Sequence, residues 1–190
     1  MRKLTQSYNH GASSVPLIGE TIGAYFDGAV ARWGGRDALV VRHQDVRWSY
    51  DQLQTEVDAF AAGLLALGLE PGQRVGIWSQ NNAEWTVTQF AAAKAGLILV
   101  NINPAYRLSE LEYALNKVQC TALVISPRFK SSDYVEMVRT LAPEIDHAEP
   151  GQLNAEKLPG LRMVIRMGEE TTPGMYNFAD IPGLAGAGEH

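Results

Sequence analysis

Apolar residues along this chain recur with two periods. Ile22, Phe26, Ala29, Val30 and Trp33 fall at helical spacing and predict a helix over 20–33 that Gly34-Gly35 stops. Ala38–Val41 and Arg47–Tyr50 read as two strands around Gln44-Asp45, a short hairpin. The clearest helix runs over 50–67, with Leu53, Val57, Phe60, Leu64 and Leu67 on one stripe. Ser49 and Gln52 have capping-box spacing at its start, and Gly68 with Pro71-Gly72 ends it.

From residue 75 the pattern alternates. Strands are predicted over 75–78, 97–102, 122–126 and 161–167, and helices over 84–95, 109–118 and 134–141. The run Leu97–Ile102 is apolar apart from Asn101, which predicts a central strand covered on both faces. Ser109 and Glu112 predict a second capping box. Residues 143–156 read as a polar loop. Strand, helix, strand, helix implies an α/β fold: a mostly parallel, doubly wound sheet flanked by helices, with the short N-terminal hairpin ahead of it. Three segments follow: an arm at 1–18, an α/β unit at 19–167 and a Gly/Pro-rich tail at 168–190. The tail lacks apolar periodicity and is expected to pack poorly.

Composition narrows the classes. With 190 residues, 46% hydrophobic and 19% charged, the chain can bury one sizeable core. A net charge of −5, with Arg2-Lys3 the longest basic cluster, speaks against a nucleic-acid partner. No apolar run reaches the roughly 20 residues of a membrane span. The polar N-terminus lacks a signal-like stretch, so a cytoplasmic location is the default expectation. A single cysteine, Cys120, excludes an internal disulfide and reads as a small buried side chain. The four histidines stand apart from it and from one another, so no metal site is expected.

Nucleotide-binding motifs fare poorly. The turn Ser79-Gln80-Asn81-Asn82 has no glycine for a dinucleotide phosphate, which disfavours an oxidoreductase. The loop 168–174 has glycines and threonines but no lysine, and Glu169-Glu170 stand where an anion would sit. No serine lies in a nucleophile elbow, so no catalytic residue is predicted. Glu110 and Glu112 read as a solvated helix face, and the four tryptophans as core or core edge. Asn82 reads as an N-cap and Asn103-Pro104 as a loop former.

Four stretches carry a resemblance when taken in order: Trp48–Leu53, then Gly63–Val75, then Asn81-Asn82, and finally Lys94–Leu115 with its Val100-Asn101-Ile102-Asn103-Pro104. Over residues 7–181 the chain resembles the N-terminal part of AMP-forming acyl-CoA synthetases, and looks most like the fatty-acyl-CoA synthetases of the adenylate-forming ligases. The resemblance implies a fatty acid and CoA as substrates, with ATP and Mg²⁺ driving an acyl-adenylate route. The family's phosphate loop, rich in Ser, Thr and Gly and ending in Pro-Lys, has no match before His190. The 190 residues alone are therefore expected to be inactive and to bind no cofactor tightly. By the same resemblance Ala95 and Gly96 would line the pantetheine path of CoA; Arg107, which follows a strand at its carboxyl end, is a candidate for a CoA phosphate by position, with no motif match behind it. The ordinary reading of Ala95-Gly96 is a tight helix stop. The alternative to a ligase fragment is a non-catalytic association module, which would self-associate through exposed apolar surface.

Overall fold

The computed structural model describes residues 11 and 14–186, so most of the N-terminal arm and the last four residues lie outside the described part. Helix α1 (Ile22–Trp33) starts where the Thr21 hydroxyl accepts the Ala24 amide at 3.2 Å. An antiparallel pair follows, β1 (Asp37–Val41) and β2 (Val46–Ser49), joined by a 3₁₀ turn at Arg42–Gln44. Helix α2 (Tyr50–Ala66) begins with the expected capping box. The Gln52 amide donates to the Ser49 hydroxyl at 3.2 Å, and the Ser49 amide donates to the Gln52 side chain at 2.9 Å.

The main sheet is parallel throughout. Its strands are β3 (Arg74–Trp78), β4 (Ile98–Asn101), β5 (Cys120–Ile125), β8 (Met163–Arg166) and β9 (Tyr176–Asn177), in the order β4-β3-β5-β8-β9. The crossovers contain α3 (Ala83–Lys94), α4 (Leu108–Lys117) and α5 (Tyr134–Leu141). A two-residue ribbon of β6 (Arg128–Phe129) with β7 (Ser132–Asp133) precedes α5; its strands are too short to leave an apolar period. Alternation along the strands sorts the core into two layers. Val75, Ile77, Ala122, Val124, Met163 and Ile165 pack with α1, α2 and α3. Trp78, Leu123, Ile125 and Val164 pack with α4 and α5. The doubly wound expectation is met.

Three expectations change. First, β4 pairs with β3 alone among the described residues, so it is an edge strand and not a central one. Ile98 is 51% exposed, while Leu97 and Ile102 at the ends of the run are buried. Apolarity reports side-chain type and not the number of strand neighbours, so it could not place β4 in the sheet order. Second, α4 begins at Leu108, one residue before the predicted start. Ser109 is therefore not the cap; the Glu110 carboxylate accepts the Arg107 amide at 3.1 Å. Third, the tail packs through residue 186. Tyr176–Asn177 adds a strand, and the 3₁₀ segment Phe178–Gly186 lies on α2. Phe178 stacks on Phe60 with ring centroids 4.1 Å apart, and Ile181 is fully buried. Leu184 joins them against the same core, and this three-residue spacing is the period of a 3₁₀ segment, which a search for the α-helical and strand periods passes over. The polar loop after α5 is similarly pinned by buried Ile145, Leu153 and Leu158.

Lys94 joins α1, α2 and α3 by ion pairs to Asp27, at 2.7 Å, and to Asp58. Burial pulls the Lys94 ammonium down, but the bonds from both carboxylates outweigh it and hold the group above its ordinary range. At the amino end of β5 the Cys120 thiol accepts the Gly76 amide at 3.1 Å, and burial pushes it from 9.0 up to about 12.

Two outcomes follow for stability. A Cβ at Gly63 would stand 2.1 Å from the Ile181 carbonyl oxygen. Gly63→Ala should therefore destabilise by about 1–3 kcal/mol in urea unfolding, although alanine is the better helix former. The Cys120 contribution is fully present below pH 9.0, where the thiol is protonated in both states. Above that pH the unfolded chain loses the proton first, so stability falls through pH 9 towards 12 at about 1 kcal/mol per pH unit. Cys120→Ala should flatten the decline between pH 9 and 10, as read by urea midpoints.

Candidate functional site

Open parallel sheets bind ligands beyond the carboxyl ends of their strands, where the winding reverses direction. Here the chain runs from β3 to β4 on one side and then crosses to β5 on the other. The reversal therefore lies between the carboxyl ends of β3 and β5.

Two serines meet at that point. Ser79 follows β3, Ser126 follows β5, and their hydroxyl oxygens are 2.5 Å apart in a buried setting. The Asn82 side-chain amide donates to the Ser79 hydroxyl at 2.9 Å and to the Met167 sulfur at 3.2 Å. Its carbonyl oxygen meanwhile accepts the Trp85 amide at 2.8 Å and caps α3. The expected N-cap is thus also a tie between three strand ends. No histidine, lysine or carboxylate shares this network, so neither hydroxyl has a base to activate it. Sequence reasoning missed Ser79 and Ser126; the available signal was that each serine ends an apolar strand run.

The Asn103-Pro104 loop is fixed from two sides. Trp78 stacks on Tyr134 with centroids 3.7 Å apart and planes 15° apart. The Trp78 indole N–H donates to the Asn103 carbonyl at 3.1 Å, and the Tyr134 hydroxyl donates to the Pro104 carbonyl at 2.5 Å. Burial raises the Tyr134 phenol to about 12. Within the loop the Asn103 side chain accepts the Ala105 amide at 2.9 Å, which makes a tight turn.

The predicted CoA-contacting residues lie at opposite ends of β4. Ala95 is the buried C-cap of α3, and Gly96 has φ +71, with Pro71 3.2 Å from where its Cβ would be. Both precede the strand, as the helix-stop reading expects. Arg107 follows the strand at the carboxyl end and donates to the Ser132 hydroxyl at 2.6 Å. The four residues of β4 alone span roughly 13 Å, so only an extended ligand would reach both ends. Among the described residues, no loop combines glycines with a lysine after a strand, and no three metal-ligating side chains cluster. No described helix is long and apolar enough to cross a membrane.

The sequence matches the AMP-binding enzyme family over residues 26–180, and the chain belongs to that family. A mitochondrial medium-chain acyl-CoA ligase of Danio rerio, ACSF2, is 43% identical over 98% of this chain and 30% of its own length. Its Homo sapiens counterpart is 40% identical over 97% of this chain and 30% of its own length. The chain therefore spans about a third of the length of these curated relatives. Among solved structures, the anthranilate CoA ligase AuaEII superposes with a TM-score of 0.73 at 22% identity, over 92% of this chain and 30% of that one. Acetoacetyl-CoA synthetase from Streptomyces lividans superposes with a TM-score of 0.71 at 23% identity, over 85% of this chain and 25% of that one. At such identities these two establish the fold, whose parallel sheet and flanking helices they share.

Tyr134→Phe removes one hydrogen bond while keeping the stack on Trp78. It should cost about 1–2 kcal/mol. Amide exchange at Tyr106, whose N–H is bonded to the Asn103 carbonyl, should accelerate selectively. Unchanged exchange there would mean that the hydroxyl does not hold the loop.

Proposed function

We propose that this chain forms the amino-terminal part of an acyl-CoA ligase that acts on medium-chain fatty acids. The observation that carries the reading is identity of 40–43% along nearly the whole chain to proteins named medium-chain acyl-CoA ligases. In such a reaction ATP and Mg²⁺ turn the carboxylate into an acyl-adenylate, and the CoA thiol then displaces AMP. Neither step is assigned to a described side chain. The part played by these residues is to hold the carboxyl end of a parallel sheet in one geometry, through the Ser79–Ser126–Asn82 tie and the Trp78–Tyr134 clamp. The CoA contacts at Ala95, Gly96 and Arg107 belong to this proposal, as does a cytoplasmic location. The curated relatives are named as mitochondrial, and subcellular fractionation distinguishes the two.

A second reading, an association module, draws on the open edge of β4 with exposed Ile98 and on exposed Ile22 of α1. A concentration-independent monomer in sedimentation equilibrium would remove it.

The ligase reading is tested by pyrophosphate release with octanoate, CoA, ATP and Mg²⁺. The 190 residues alone should give no ATP-dependent turnover. The same chain continued through the remaining length of its relatives should turn over octanoate faster than benzoate. Turnover by the short chain would contradict its proposed share of the work. A longer protein inactive on octanoate would contradict the substrate class.

A further inference from the structure

A cavity of about 750 Å³ opens at the carboxyl ends of β5 and β8, beside the point where the winding reverses. It is lined by Arg128, Arg139 and Arg166, by four carboxylates of which Glu170 is one, and by Thr171 and Thr172. Arg166 ends β8 and is 4% exposed. Its guanidinium donates to the carbonyls of Met167 at 3.3 Å and Glu170 at 2.7 Å, and to the Glu170 carboxylate at 2.5 Å. The third nitrogen, Nε, is buried without a partner.

This pair is lopsided. A buried guanidinium needs a counter-charge, because desolvation penalises it strongly when unpaired. Yet the carboxylate that supplies it sits on a side chain 85% exposed, on a loop that turns through Gly168 at φ +90. Glu170 can leave for water at little cost; Arg166 cannot follow. The other cations of the rim are more exposed, with the Arg139 side chain 29% and the Arg128 side chain 75% accessible. Arg139 pairs with Glu136 at 2.8 Å and Asp146 at 2.9 Å, and Arg128 approaches Asp133 at 3.8 Å. Of the three, Arg166 is the buried cation, and its carboxylate partner is the most exposed of those named. Glu169-Glu170 alone argue against an anion here, but the cation that answers them comes from the strand below.

We propose that Arg166 is the floor of a phosphate-binding subsite, with the Glu170 carboxylate as an internal stand-in that a phosphate-bearing small molecule displaces. Phosphate suits the walls better than the carboxylate of an acyl chain. Two more guanidinium groups and two threonine hydroxyls line the cavity, and an ion with more than two oxygens can use them. Glu169 and the departing Glu170 stay close and oppose the ligand, so the parent chain binds it weakly.

The test titrates inorganic phosphate into the chain and its variants by calorimetry at constant ionic strength. Removing the competing charge in Glu170→Gln should tighten phosphate binding about tenfold, the scale of one freed charge-assisted hydrogen bond. Adding Arg166→Met to that variant should abolish the gain. Equal phosphate affinity for the parent chain and Glu170→Gln would overturn the proposal. Acetate binding to Glu170→Gln as tightly as phosphate would overturn the phosphate assignment. Glu170 is exposed, so its variant decides the question even where the Arg166 variant does not fold. The outcome is independent of the ligase reading, since no turnover is measured.

Discussion

Strand β3 lies between β4 and β5, and its pairing with β5 sets the geometry of everything at the ligand end of the sheet. Gly76 leaves room for the side chains packed over the middle of β3. Any Cβ there would stand 3.0 Å from the side chains of Ile102 and Leu123. With β3 and β5 held in parallel register from Val75–Ala122 to Trp78–Ile125, Ser79 and Ser126 emerge side by side. The buried hydroxyl pair satisfies polar groups that would otherwise be stranded in an apolar core, and Asn82 and Met167 extend the tie to α3 and β8. On the opposite face Trp78 and Tyr134 carry the same constraint out to the Asn103-Pro104 loop.

This end of the molecule is built from positions, not from reactive groups. Its hydroxyls lack a base, its amide side chain serves as a cap, and its aromatic pair anchors backbone carbonyls. The chain covers 30% of the length of the curated relatives named above. The exception is the cavity at Arg166. There a buried cation is neutralised by an exposed carboxylate, an imbalance that points to ligand exchange.

Much of this was legible in the residues. Helical stripes such as Leu53-Val57-Phe60-Leu64 and the Ser49–Gln52 cap are local signals, and local signals survive into the structure. The alternation from residue 75 onward fixes a parallel sheet, because a crossover helix between strands allows little else. What stayed hidden is non-local. Strand order decides whether an apolar run is central or at an edge, and β4 shows that composition does not encode it. The packing of Phe178 and Ile181 on α2 depends on a gap at Gly63 more than a hundred residues earlier in the chain. The Ser79–Ser126 contact likewise requires knowing that β3 and β5 are neighbours. Arg166 was invisible as a site because the loop after it advertises two carboxylates.

Residues 22–186 form one cooperatively packed unit around β3 and β5, with the last segment docked on α2. Native-state hydrogen exchange on the 190-residue chain tests it most directly. The amides of β3, β5 and β8 should exchange only by global unfolding, and Met167, whose N–H is bonded to the Ile125 carbonyl, should share their protection. Gly63→Ala should lower protection in β9 before it lowers it in β5. Exchange of β3 and β5 at rates well above that of the most protected amides would contradict the claim, because the strands that define the ligand end would then open on their own.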